Sequence, residues 1–175
     1  MSELFEVAID RAVAGYDAWI ANRRNSIGAS EVAAALGINP YKSKYSLWLE
    51  KVDPSYTPFK GNDKTNLGNM LEPFVILMAQ DNLGLDITPD SRSLRSIEFP
   101  FITASLDGYG VDSEGKRFCI DAKTTNSYVY TDGIPDYVLL QIQTQLLVTG
   151  YDYGFVAVLE RDTAKFYAKK IDRDE

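Results

Sequence analysis

Histidine is absent from all 175 residues of the chain. That one absence removes Ser-His-Asp and Cys-His nucleophilic catalysis, histidine-ligated metal centres and imidazole proton shuttles together. A single cysteine, Cys119, forbids an internal disulfide and leaves cysteine-built zinc sites without ligands. No run approaches the ~18 apolar residues that span a bilayer. The opening MSELFEVAIDRAVAGYDAW also lacks the basic and apolar regions of a secretion signal, so a soluble cytosolic protein is expected. Basic residues are in deficit, 18 against 25 acidic, for a net charge of −7. That balance argues mildly against nonspecific polyanion binding, although bound divalent cations would offset part of it. Any hydrolytic chemistry must therefore use carboxylates, lysine, or water activated on an oxygen-ligated metal.

What is present is ordinary globular material, 45% hydrophobic and 25% charged. The length fits a single domain over residues 1–175 that buries roughly 70% of its unfolded surface. Phe5, Ile9, Ala12, Tyr16 and Trp19 recur at helical steps and predict a helix over 5–21. A second helix is expected from Ser30, an N-cap residue type, to Gly37, and a third from Ser43 to Val52. Asp53 to Thr65 reads as an exposed loop, followed by a helix from Asn66 to Leu83 with Pro73 in its early turns and Gly84 as its stop. Strands are expected at Leu85–Thr88, Ser93–Glu98, Ile102–Leu106 and Arg117–Lys123, with a polar turn at Asp112–Lys116. A helix from Asp136 to Thr149 and two strands, Tyr153–Glu160 and Lys165–Ile171, complete an α/β pattern with a mixed sheet.

Chemistry concentrates in a few places. In a strand over 117–123, Asp121 and Lys123 project to one face while Phe118, Ile120 and Ala122 take the other. Such a pair can hold a metal and orient its water, or it can be a plain surface charge pair. Asp107 ends an apolar run before Gly108, which is ordinary turn chemistry unless it meets Asp121 at the same sheet edge to share a hard cation. Glu72, on a helix with apolar Leu71, Phe74, Val75 and Leu77 around it, is either a third ligand or a solvated dipole partner. Gln141 and Gln145 share a helix face with Tyr137, whereas Gln143 points away; core hydrogen bonds and site contacts are both open to them.

These residues fall in an order that resembles one family. Trp19-Ile-Ala-Asn-Arg23 and Ile27-Gly-Ala-Ser30 resemble its W-x-x-x-R…I-G-x-S opening, and Leu36-Gly-Ile-Asn-Pro-Tyr41 with Leu47-Trp48 its L-G-x-x-P-Y…L-W continuation. Gly68-Asn-Met-Leu-Glu72-Pro, Thr103-Ala-Ser-Leu-Asp107-Gly, Ile120-Asp-Ala-Lys123 and Pro135…Tyr137…Gln141-Ile-Gln143 then follow in sequence. Together they are similar to the lambda-exonuclease (YqaJ-type viral recombinase) branch of the PD-(D/E)XK nucleases. Two departures stand out: Leu106 replaces the usual proline before Asp107, and Asp121 replaces the glutamate commoner in this branch.

The resemblance implies a PD-(D/E)XK restriction-endonuclease-like core, a mixed central sheet flanked by helices. It implies a Mg²⁺-dependent 5′→3′ exonuclease, with Mn²⁺ as a substitute metal, degrading one strand of linear double-stranded DNA from 5′-phosphorylated ends for phage-type recombination. Asp107 and Asp121 would ligate the metal, with Glu72 joining directly or through water. Lys123 would orient the attacking water or stabilise the developing phosphorane charge, and Gln141 would hold the nucleophile or the scissile phosphate. Arg23, Gly28 and Ser30 would take the 5′-terminal phosphate, Arg23 by two parallel hydrogen bonds and Ser30 at a helix N-terminus, against the plainer reading of an N-cap beside a surface arginine. Implied partners are DNA ends, a single-strand annealing protein and further copies of the chain in a ring-like trimer, inside a bacterial host and without a membrane. An endonuclease on the same fold, or an inactive nuclease-like module binding DNA or protein, are the alternatives.

Overall fold

The structure, a computed structural model, describes residues 4–56, 61–130 and 132–174. Of the loop expected over 53–65, residues 57–60 lie outside the described residues, as does the Tyr16 side chain of the expected first helix. In chain order the elements are β1 (Phe5–Asp10), α1 (Arg11–Ala14), α2 (Tyr16–Arg24), β2 (Ile27–Gly28), a 3-10 turn (Ala29–Glu31), α3 (Val32–Leu36), α4 (Lys44–Val52) and α5 (Asp63–Leu83). There follow β3 (Thr88–Pro89), β4 (Arg92–Ser96), β5 (Ile102–Ser105), β6 (Gly108–Val111), β7 (Arg117–Thr125), α6 (Asp136–Thr149), β8 (Tyr153–Glu160) and β9 (Phe166–Asp172). The chain divides into two compact units, each assembled from three separate segments.

The first unit comprises residues 1–59, 91–105 and 136–150. Its sheet runs β1-β4-β5-β2, with β2 parallel to β5 and the other pairs antiparallel. The helix expected from Phe5 begins instead as a strand, because Phe5, Val7 and Ile9 also alternate with period two and β4 offers a partner edge. Asp10 ends that strand: its carboxylate accepts from Ala12 N–H at 2.9 Å and opens α1. Gly15, at φ 82°, then separates α1 from α2. Helix α6 packs on β4, β5 and α3, burying Val138, Ile142, Leu146 and Val148 completely.

The second unit comprises residues 60–90, 106–135 and 151–175. It holds the mixed sheet, ordered β3-β6-β7-β8-β9, in which only the β7–β8 pair is parallel. Strand β7 alternates as its sequence requires. Phe118 and Ile120 enter a core with Val75, Ile76 and Ala79 of α5 and with Tyr153, Phe155 and Ala157 of β8. Each such side chain contributes roughly 1.5–3 kcal/mol on burial, so this face holds the strand in place. The 112–116 turn is tied by Asp112, whose carboxylate accepts from Glu114 N–H, Lys116 N–H and the Tyr153 hydroxyl, each at 2.9 Å. Helix α5 starts one turn earlier than expected, capped by Asn62, which accepts from Thr65 N–H at 3.1 Å. Pro73 therefore sits in the helix interior rather than its early turns, where it removes the N–H that would bond the Asn69 carbonyl. Among the described residues no helix is long and apolar enough to cross a membrane.

Candidate active site

Four of the residues singled out by sequence lie in the second unit, and three of them meet. Asp121 and Lys123 project from one face of β7, and Lys123 Nζ ion-pairs with Asp121 Oδ2 at 2.5 Å. Asp121 is 1% exposed, so its carboxyl lies in a desolvated setting beside the Lys123 ammonium. Asp107 occupies the short link between β5 and β6, immediately before β6 runs antiparallel to β7. Its Oδ2 accepts from the Ala122 backbone N–H at 2.7 Å, which fixes the carboxylate against the Asp121–Lys123 segment.

Electrostatics reflects how close these groups are. Burial pushes the Asp107 carboxyl up to about 8, the Asp121 charge pushes the same way, and the Lys123 ammonium opposes them. Glu72, half-buried on α5, is near enough to raise Asp107 further. Among the described residues, however, no three acids are gathered closely enough to hold one metal ion together. Glu72 acts on Asp107 through its charge.

The donor set suits a hard divalent cation. Carboxylate oxygens are its usual ligands. The Asp121 charge helps to raise the Asp107 carboxyl, and a cation held by the two aspartates would remove that conflict. The buried Cys119 thiol, pushed up by burial and by both aspartates, supplies no thiolate.

The other sequence candidates lie in the first unit. Arg23 Nη2 donates to Glu31 Oε1 at 2.7 Å and reaches Ser30 Oγ at 3.5 Å, with its guanidinium carbon 4.9 Å from the centre of the Trp19 ring. Glu31 is 4% exposed; its Oε2 accepts from Gly28 N–H at 2.9 Å and from Lys51 Nζ at 2.7 Å. Lys51 Nζ also donates to the Arg23 carbonyl at 2.7 Å. Ser30 does not open a helix as expected. It lies inside the 3-10 turn, and α3 behind it has five residues, too few to present a strong dipole end. Gly28 is not an N–H donor for a ligand either, since Glu31 already takes that hydrogen. Sequence reasoning missed Glu31 and Lys51: Glu31 adjoins Ser30 and was readable, but nothing local marks Lys51. Gln141 is half-buried on α6 in this unit, while Gln145, fully buried, donates to the Ser105 carbonyl at 3.0 Å and is a core residue.

The family model described as the YqaJ-like viral recombinase domain matches residues 18–152. The chain belongs to that family. This YqaJ-like chain is 29% identical over 180 residues to the uncharacterized protein YqaJ of Bacillus subtilis, covering 99% of this chain and 55% of the relative. It thus spans about half the length of that relative. Its structure is similar to the alkaline exonuclease LHK-Exo of Laribacter hongkongensis, with TM-score 0.72 and 20% identity over 91% of this chain and 83% of that one. The same exonuclease in complex with dAMP gives TM-score 0.73 at 21% identity, with the same coverage. A phage-related exonuclease of Haemophilus somnus gives TM-score 0.60 at 17% identity, covering 85% of each chain. The YqaJ-like domain therefore has the alkaline exonuclease fold, the α/β architecture that the ordered motifs implied.

Proposed function

We propose that this YqaJ-like chain is a metal-dependent deoxyribonuclease acting 5′→3′ on one strand of linear duplex DNA. The observation that carries the reading is the pair of half-buried Asp107 and buried Asp121, tied to one strand segment with Lys123 beside it. In a chain without histidine, that group is the one equipped to assist phosphodiester hydrolysis. Asp107 and Asp121 would hold Mg²⁺ or Mn²⁺, with Glu72 completing the site directly or through water. The cation would supply Lewis-acid polarisation of the phosphate and a lowered water pKa. Lys123 would donate a hydrogen bond to the water or to the phosphate oxygen that gains charge. Gln141 would orient the scissile phosphate. Arg23 and Ser30 would receive a 5′-terminal phosphate, with Gly28 leaving room for it and Glu31 fixing the guanidinium.

The whole of 1–175 would then act as one nuclease domain inside a bacterial host, in recombination of phage type. Its partners would be DNA ends, an annealing protein for the exposed single strand, and sister copies in a ring-like trimer. The test is incubation with Mg²⁺ and three substrates: linear duplex with 5′-phosphate, linear duplex with 5′-hydroxyl, and closed circular duplex. The expected result is release of 5′-mononucleotides, fastest from phosphorylated ends, with the circle intact. Cutting of the circle would make the chain an endonuclease, and no cleavage with any divalent metal would leave it a binding module.

A further inference from the structure

The second unit carries an open cleft of about 450 Å³, lined by Ser127, Tyr130, Ile134, Glu160, Lys165, Tyr167 and Lys169 among others. Cleft and aspartate pair lie on the same face of the sheet. In the β7–β8–β9 register Asp121 lies opposite Val156 and then Lys169, while Lys123 lies opposite Val158 and then Tyr167. Two strand spacings place the cleft roughly 10 Å from Lys123, with Val156 and Val158 between.

Its lining is chemically mixed. Among the described residues Lys165 and Lys169 form no ion pair, although each presents an ammonium at the rim. Lys165 Nζ instead lies 5.9 Å from the centre of the Tyr167 ring. Tyr130 and Tyr167 supply two half-buried rings. Glu160, 8% exposed, accepts from the Thr163 hydroxyl at 2.5 Å and meets no cation among the described residues. The wall is braced: the Ser127 N–H and hydroxyl donate to Asp162 at 2.8 and 2.6 Å, tying the segment after β7 to the β8–β9 turn.

Two ammoniums outside any ion pair among the described residues, two aromatic rings and one shielded acceptor match the parts of a nucleotide: phosphate, base plane and base amino edge. The volume lies within the range of small-ligand sites. We infer that this cleft is a second nucleotide-binding subsite, gripping a unit of single-stranded DNA beside the hydrolytic centre. Lys165 and Lys169 hold the backbone phosphate, Tyr130 and Tyr167 flank the base, and Glu160 accepts from its amino group. The inference rests on the nuclease reading for its biological sense, but its test needs no cleavage.

The test is equilibrium binding of a fluorescent ten-residue single-stranded oligonucleotide to the full chain in EDTA, for wild type, Lys165→Gln/Lys169→Gln and Lys165→Arg/Lys169→Arg. Loss of two phosphate contacts should weaken binding about tenfold or more near physiological salt and reduce the salt slope by about 1.4. The arginine pair should retain wild-type affinity, which separates lost charge from lost fold. Displacement by excess dCMP, whose base carries the amino group, would show that the site also takes free mononucleotide; no displacement would assign it to the strand alone. Unchanged affinity and slope in the glutamine pair would overturn the inference, whether or not the wild type cleaves DNA.

Discussion

The Asp107 carboxylate is bonded not to a side chain but to the backbone N–H of Ala122, at 2.7 Å. Ala122 lies between Asp121 and Lys123, so one hydrogen bond sets the two acids in fixed relation across the β6–β7 hairpin. The arrangement separates chemistry from folding. Asp107 is mostly protonated until about pH 8 without metal, so an uncharged isostere there should be tolerated.

Asp107→Asn should accordingly melt at or above the wild-type temperature in EDTA, yet lose divalent binding and cut DNA at least ~10²-fold more slowly. Calorimetric melting and a radiolabel release assay on linear duplex check both halves. A variant that cuts normally would remove Asp107 from the site.

Stability of the metal-free protein should fall as pH rises from about 4 to about 8. The Asp107 pKa is raised from 3.8 to about 8 on folding, so across that window the folded state keeps a proton that the unfolded chain has lost. Each step up in pH then favours unfolding. Urea titrations in EDTA at several pH values should show the decline, and Asp107→Asn should flatten it. For the same reason Mg²⁺ binding should release protons, with affinity rising towards pH 8.

Glu31→Gln should destabilise the first unit by on the order of 3 kcal/mol, because it strips the shared carboxylate from Arg23 and Lys51. Burial alone would raise the Glu31 pKa, but the Arg23 and Lys51 charges more than offset it and hold it below 4.5. A depressed value gives stability that is present above the ordinary pKa and lost as pH falls through the folded one. Acid unfolding below about pH 4.5 should therefore be shallower in the variant than in wild type, as read by circular dichroism.

Gly108→Ala should cost about 1–3 kcal/mol and slow cleavage, since an added Cβ would lie 2.7 Å from Ile87 Cγ2 and 3.1 Å from Ile120 Cγ2. Chemical denaturation and the same release assay measure it. The glycine after Asp107 answers to strand packing here, not to the left-handed turn that an Asp-Gly pair suggests, as its φ is not positive.

Much of the second unit was legible because its signals are local. The alternation along 117–123 states which residues face the core, and Gly84 marks its helix end as written. Phe5 to Ile9 shows the limit: residues spaced by two and by four fit both a strand and a helix, and only the β4 edge resolves them. Ser30 failed for a related reason. Its residue type suits a cap, but the buried Glu31 carboxylate, held by Lys51 from twenty positions on, takes the Gly28 N–H instead.

By itself the sequence determined the available chemistry: without histidine, and with a single cysteine, catalysis was left to acids, lysine and a bound cation. It also settled the side of β7 that carries Asp121 and Lys123, since side-chain direction follows from a two-residue repeat. Only the tertiary structure decided that Asp107 meets them, and that Lys169 shares their sheet face. Those relations depend on strand order and register, which are set by packing between segments far apart in the chain and leave no local mark on it.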